Sequence, residues 1–142
     1  MAGMNSTLAN NLLKLLLQAV AIANVADNAA SSPITNTYAS LHTADPANGN
    51  QSASETSYTG YVRQAIARSA GGWAVSSNVA NPVANIVFAV STSGTPTITH
   101  FGVGKTSSGA TDLWFSGTVT PNITVSLSVA QTLTNASSIT LT

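Results

Sequence analysis

The sequence predicts a mainly β protein, an antiparallel, jelly-roll-like β-sandwich preceded by one α-helix. Three observations support this fold class. Short runs of β-branched and alternating residues recur at roughly 8–12-residue spacing, Gly, Pro, Asn and Ser separate these runs, and no helical pattern follows residue 33. The helices that would connect parallel strands are missing, so an antiparallel arrangement is favoured. No repeat of fixed period is present, which disfavours solenoids and propellers.

The chain divides on this pattern into an apolar helix with its linker, 1–33, and a β-sandwich domain, 34–142. Its 142 residues suffice for one hydrophobic core. Leucine and alanine recur at helical spacing over 7–26, and Pro33 cannot continue a helix. Because Lys14 is the only charge in this segment, the helix requires cover from the sandwich or from another subunit.

The strands are predicted from alternation and from turn residues. The loop 47–57 is rich in Asn, Ser and Gly, and its composition predicts exposure. Pro121-Asn122 is expected to break the strand before it, and Asn81-Pro82 precedes the next predicted strand. The nearly continuous apolar run Val83–Val90 is expected to form a central strand of the sandwich. The predicted strands are 34–43, 58–68, 73–75, 83–90, 97–103, 112–119, 123–129 and 139–142.

Composition limits the partners of this protein. Charged residues make up 6% of the chain, against roughly 25% in average domains, and the formal net charge is zero. A neutral, charge-poor surface tends to associate, and it lacks the clustered cations that nucleic acid requires. The apolar run 12–26 is too short to span a bilayer, and there is no cysteine. These features predict a protein of an assembly, without nucleic-acid or membrane partners.

The residues that carry chemistry are few and scattered. His42 and His100, the two histidines, could each share a site with Asp45 or Asp112, but no third ligand or defined nucleophile accompanies them. Structural histidines and turn-forming acids are therefore the favoured interpretation. We expect no catalytic, metal-binding or cofactor-binding residues, no small-molecule substrate and no enzymatic activity.

Two further motifs have both a ligand-binding and a structural interpretation. The segment Gly102–Thr106 ends like a phosphate-binding loop, but position 99, where that motif requires glycine, is threonine. A hairpin loop is the favoured interpretation. Four aromatic residues could form a sugar-stacking platform, although such residues in a small sandwich more often belong to the core or to subunit contacts. They are Tyr58, Tyr61, Trp73 and Trp114.

Five short segments, in order, resemble a family of small tailed-bacteriophage virion proteins. They are Leu41–Pro46 (LHTADP), Ser57–Arg63 (SYTGYVR), Trp73–Ser76 (WAVS), Thr99–Gly102 (THFG) and Phe115–Gly117 (FSG). The members are often labelled tail-fibre proteins, and similar proteins serve as capsid decoration, or cement, proteins with a jelly-roll-like fold. The chain departs from the family pattern at His42, where phenylalanine is expected, and in the longer loop 47–57.

The resemblance implies a bacteriophage virion structural protein. The favoured interpretation is a homotrimeric cement protein on the capsid exterior that bridges subunits of the major capsid protein. Its expected contacts are loops 44–57, 91–96 and 104–111. A tail-fibre or adhesin module is the alternative. A secreted carbohydrate-binding protein or hydrolase is the third, and it would require cleavage near residues 23–30.

Overall fold

The computed structural model describes residues 6–22, 34–46, 50–111 and 113–141. It confirms the mainly β, antiparallel, sandwich-like fold class with one N-terminal helix. Every strand pair with a defined register is antiparallel. The elements within the described ranges are α1 Ser6–Gln18, β1 Asn36–His42, β2 Gln64–Ala67, β3 Trp73–Ser76, β4 Val79–Pro82, β5 Ile86–Val87, β6 Thr97–Gly104, β7 Leu113–Thr124, β8 Thr132–Leu133 and β9 Ile139–Thr140.

The chain forms two compact units, each of which draws on separate stretches of sequence. The first comprises Met1–Asn36, Ile66–Asn85 and Thr134–Thr142, and the second comprises Thr37–Ala65 and Ile86–Leu133. The division between residues 33 and 34 stays a prediction, because residues 23–33 lie outside the described ranges.

Helix α1 in the first unit ends earlier than its apolar pattern predicts. The helix stops at Gln18, and Ala19 adopts a left-handed conformation with φ of 58°. The Arg68 guanidinium donates from Nε to the carbonyl of Leu16 at 2.7 Å and from Nη2 to that of Leu15 at 2.5 Å. A cation there satisfies carbonyls that lack helical partners and opposes the helix dipole. The predicted helix is therefore wrong over 19–22, and 23–26 lie outside the described residues.

One face of α1 packs on β3 and β4. Ala9, Leu13 and Leu17, spaced four residues apart, are almost fully buried. Opposite them Trp73 is only 2% exposed, and Gln18 Nε2 donates to its carbonyl at 2.8 Å. Burying a leucine side chain stabilises the fold by roughly 1.5–3 kcal/mol. Among the described residues, no helix is long and apolar enough to cross a membrane.

The three-stranded sheet of the first unit has the order β3-β4-β9. Pro82 ends β4 opposite Trp73, directly before the predicted strand 83–90. Because β9 pairs with only Val79 and Ala80, the ladder requires no amide donor at Pro82 on that side. Whether a proline is tolerated depends on its position within the sheet. That position cannot be inferred from sequence spacing.

The β3–β4 hairpin suggests a stabilising substitution. Ser77 and Asn78 form its two-residue turn, with φ of 50° and 60°, as in a type I′ turn. Serine is less suited to left-handed backbone than asparagine. We expect Ser77→Asn to raise the free energy of unfolding by roughly 0.5 kcal/mol, measured by urea denaturation. Ser76→Asn, in the adjoining strand, is the control and should give no increase.

The larger sheet has the order β2-β1-β6-β7. Leu41, Ile98 and Val103 are almost fully buried in the core of the second unit. Gly102 faces Ser40 across the β1–β6 pair, and a Cβ there would lie 2.7 Å from His42 Nε2 and from Leu113 Cδ1. The predicted break at Pro121-Asn122 is wrong, because edge strand β7 runs to Thr124, with a register shift opposite Ile98–His100.

The predicted central strand Val83–Val90 is wrong. Only Ile86–Val87 is a strand, and it pairs with β8. Ile86 and Phe88 are buried, whereas Val83, Val87 and Val90 are about half exposed. A continuous apolar run predicts burial on both faces, but one side of this segment faces solvent.

Most of the other predicted strands are confirmed in whole or in part. The runs 34–43, 73–75, 97–103, 112–119 and 139–142 correspond to β1, β3, β6, β7 and β9. From 58–68 only Gln64–Ala67 is a strand, and the run 123–129 contributes its first two residues to the end of β7.

Candidate functional site

A buried ion pair lies at the centre of the candidate site. Arg63 is 6% exposed, and its guanidinium donates two parallel hydrogen bonds to the Glu55 carboxylate. Nε donates to Oε1 and Nη2 donates to Oε2, each at 2.7 Å. This fork geometry is the strongest arrangement of an arginine–carboxylate pair. Arg63 comes just before β2, and Glu55 is placed by the loop that follows β1.

Arg63 also joins two loops of the second unit. Nη1 donates to Gln51 Oε1 and to the carbonyl of Thr106, both at 3.2 Å. Nη2 donates to Ser52 Oγ at 3.2 Å and to the carbonyl of Gly109 at 2.9 Å. Two of the predicted contact loops, 44–57 and 104–111, are therefore held by one side chain.

The exposure predicted for loop 47–57 is wrong in part. Gln51 and Thr56 are buried, while Ser52, Ser54 and Ser57 are exposed. Gln51 Nε2 donates to the carbonyl of Tyr38 at 2.7 Å. Polar residues can be buried here because each finds partners, which composition does not reveal. Residues 47–49 lie outside the described ranges.

Two tyrosines pack beside this ion pair. The Tyr61 hydroxyl donates to Glu55 Oε1 at 2.9 Å and accepts from the backbone N–H of Leu41 at 3.0 Å. Burial raises the pKa of Tyr61, so the phenol stays protonated. Its ring lies 5.4 Å from that of Tyr58, edge to face, and stacks on Phe88 with centroids 6.1 Å apart. The Tyr58 hydroxyl donates to the carbonyl of Ala89.

Two open grooves flank the segment Glu55–Tyr58. The first has a volume of 340 Å³, and its lining also includes Thr43, Thr59, Ser93, Gly94 and Pro96. The second has a volume of 410 Å³, and its lining also includes Tyr61, Val62, Arg63 and the loop residues 107–109. Both volumes lie within the range of small-ligand sites. The predicted contact loops 91–96 and 104–111 each supply one wall.

The four aromatic residues do not form one platform, and two of them, Trp73 and Tyr58, are core residues, as the favoured interpretation predicts. Trp73 is buried under α1 in the first unit, and Tyr58 is 4% exposed. Trp114 is half-buried on β7 and lines neither groove. Only Tyr58 and Tyr61 come together, in the second groove.

His42 is held in the core by its neighbours. It is fully buried, and its Nδ1 lies 2.8 Å from the carbonyl of Ala53, which requires a proton on Nδ1. Nε2 therefore accepts from Ser40 Oγ at 2.9 Å. The contact resembles a nucleophile–base pair, but both side chains are fully buried, so a substrate has no access to them.

Within the described ranges, the other candidate residues do not complete a metal site around His42. His100 is its cross-strand neighbour, and the Nδ1 of His100 lies 2.9 Å from Thr99 Oγ1. Asp45 is exposed, and Asp112 lies outside the described residues. Within the described part of the chain, no three potential ligands group as a metal site would require. The absence of catalytic residues stays a prediction.

The buried His42 makes stability depend on pH. Burial lowers the pKa of His42 below its usual 6.5 and outweighs the opposing effects of the Ala53 hydrogen bond and of Glu55. Below pH 6.5 the unfolded chain therefore binds a proton that the folded chain does not. We expect full stability above pH 6.5 and a fall as the pH decreases from there, measured by urea denaturation from pH 7.5 to 5. His42→Gln should flatten this slope, and an unchanged slope would contradict the assignment to His42.

The Arg63–Glu55 pair was not predicted from the sequence. A signal was present, because in a chain with eight charged residues a lone acid and a lone base lie eight positions apart, on either side of Tyr58 and Tyr61. In charge-poor sequences, isolated opposite charges are the natural candidates for a buried pair.

Comparison with known proteins identifies the family. The sequence model of the family described as podophage GP4 fiber I protein gp80 matches residues 3–141, so the chain belongs to this family. No curated protein matches the chain. The resemblance to phage virion proteins is thereby confirmed, and the chain is a structural protein of a phage virion. Its assignment to capsid decoration proteins stays a prediction.

Proposed function

We propose that this chain is a subunit of a fibre on the phage virion and that it assembles with copies of itself. The observation that carries the proposal is the match to a fiber protein family over residues 3–141. The role is mechanical: a β-rich subunit positions parts of the virion and performs no chemistry.

The distribution of charge supports self-assembly. No charged residue occurs between Arg68 and Lys105, and none follows Asp112. Of the two arginines, Arg63 is committed to a buried ion pair and Arg68 to helix carbonyls. Little charge remains to keep copies apart.

Exposed apolar side chains supply a surface for such contacts. The segments around Phe88 and Gln131 run side by side, joined by a bond from the Phe88 N–H to the Gln131 carbonyl at 2.8 Å. Four side chains on these segments are 43–53% exposed: Val87, Val90, Leu127 and Val129. Apolar groups of this kind are typical of subunit interfaces when they lie close together. A homotrimer is the assembly that the family resemblance favours.

Copy number tests the proposal. We expect the ratio of this chain to the major capsid protein in purified virions, measured by quantitative mass spectrometry, to be below about one to ten, as for a component present at few positions. A ratio near one to one would contradict the fibre role. Complete absence from purified particles would contradict any permanent virion role.

The capsid decoration role is the second candidate. The same neutral surface suits a cement protein that adds buried area between subunits of the major capsid protein. A near-equimolar ratio, together with heads that become fragile when the protein is stripped, would favour this role. The secreted alternative predicts an N-terminus near residues 23–30, which peptide sequencing of the mature chain would detect.

A further inference from the structure

We propose that the second groove, between Tyr58–Arg63 and the loop 107–109, binds a neutral saccharide. This inference deepens the fibre proposal, because it names a ligand class that such a fibre would engage. It depends on three features of the groove: its saturated charges, the exposed Val62 beside the partly exposed Tyr61 ring, and walls that hydrogen bonds hold together.

The charges in the groove are already satisfied. Arg63 is the only cation among the described residues that line it, and its five N–H donors make six hydrogen bonds to protein acceptors. An anionic ligand would meet the Glu55 carboxylate and find no free cationic donor. A phosphate or an acidic sugar is therefore disfavoured, and an uncharged ligand is favoured.

The remaining polar groups suit a ligand rich in hydroxyls. Ser57, Ser107 and Ser108 are exposed at the walls and can donate or accept. Thr56 is 4% exposed, lines both grooves, and has a buried hydroxyl without a partner among the described residues. Because that oxygen is itself buried, the exposed serine hydroxyls, and not Thr56, are the groups that a ligand in the groove can reach.

The apolar part of the lining suits the C–H face of a sugar ring. Val62 is 58% exposed, and the half-buried Tyr61 lies next to it in the lining. The hydroxyls of Tyr58 and Tyr61 are both occupied by protein partners. Tyr61 therefore contributes ring surface rather than hydrogen-bonding capacity, and Tyr58, which is 4% exposed, contributes little of either.

The groove is held in shape before a ligand arrives. The bond from Arg63 Nη2 to the Gly109 carbonyl ties the wall 107–109 to the opposite wall, and the bonds to Glu55 hold the floor. Preorganised walls reduce the entropy lost on binding. An open groove of 410 Å³ has the size of a small-ligand site.

The test is a titration of the purified full chain, followed by NMR and calorimetry. The neutral probes are oligosaccharides of glucose, galactose, mannose, rhamnose and N-acetylglucosamine, and the acidic probes are uronic-acid-containing and phosphorylated oligosaccharides. We expect at least one neutral probe to bind and to shift the resonances of Tyr61 and Val62. Ser108→Tyr, which fills the groove, should weaken this binding at least tenfold.

The matched control is Ser126→Tyr, the same change at an exposed position that lines neither groove. It should bind as the unaltered chain does. Val62→Ser tests the same surface without added bulk and should weaken binding several-fold. The inference is overturned if no neutral probe binds, if only acidic probes bind, or if Ser108→Tyr leaves the affinity unchanged. A fibre-like copy number without saccharide binding would overturn this inference alone.

Discussion

Replacing Arg63 with alanine is expected to lower the free energy of unfolding by about 3–5 kcal/mol. The substitution leaves the carboxylate of Glu55, whose side chain is 14% exposed, without its cation. It also removes the bonds that hold loops 50–57 and 106–111 together. A loss of this size is a large fraction of the stability of an ordinary domain. Urea denaturation followed by circular dichroism measures it.

Two variants separate the lost charge pair from the lost loop contacts. Arg63→Lys keeps the charge but not the fork, so it should fall between the alanine variant and the unaltered chain. Changing both Arg63 and Glu55 to leucine leaves no buried charge, so it should cost less than Arg63→Ala alone. Amide exchange in loop 106–111 should accelerate in all three. A loss below about 1 kcal/mol for Arg63→Ala would show that the pair is not structural.

Replacing Trp73 with alanine is expected to destabilise the protein by a similar amount, about 3–5 kcal/mol. Trp73 is the largest fully buried side chain of the described residues, and it lies between α1 and the β3-β4-β9 sheet. Truncation removes this apolar area and leaves a cavity, because the surrounding elements relax only partly. Trp73→Phe, which fills part of the space, should cost less.

Trp114→Ala provides the matched control for this prediction. Trp114 is half-buried on edge strand β7, so the same truncation should cost about 1 kcal/mol or less. Tryptophan fluorescence checks the assignment. The blue-shifted emission of a buried indole should be lost in Trp73→Ala and retained in Trp114→Ala. Equal losses for the two variants would contradict the core position of Trp73.

These two substitutions are also expected to differ in their effect on saccharide binding. If the Arg63 clamp fixes both walls of the saccharide groove, Arg63→Lys should weaken saccharide binding even where the chain remains folded. Trp73→Phe lies in the other compact unit and should leave the affinity of the folded chain unchanged. The pair of variants therefore distinguishes damage to the groove from a general loss of stability.

The sequence predicted the fold class, the start of the helix and five of the strands. It did so because alternation, helical spacing and turn residues are local patterns that local structure must satisfy. The low charge predicted a protein of an assembly, and the resemblance of five ordered motifs to a phage family predicted a virion protein.

Which polar residues are buried and which apolar residues are exposed becomes visible only in the folded chain. Gln51 and Arg63 are interior because partners from distant loops satisfy them, and Val87 is half exposed because its neighbours cover one side only. Pro82 and Pro121 are accepted within strands because their positions require no amide donor from them. The physical reason is common to all of these cases. Burial and hydrogen-bond satisfaction depend on partners far away in sequence, and only the folded chain brings those partners together.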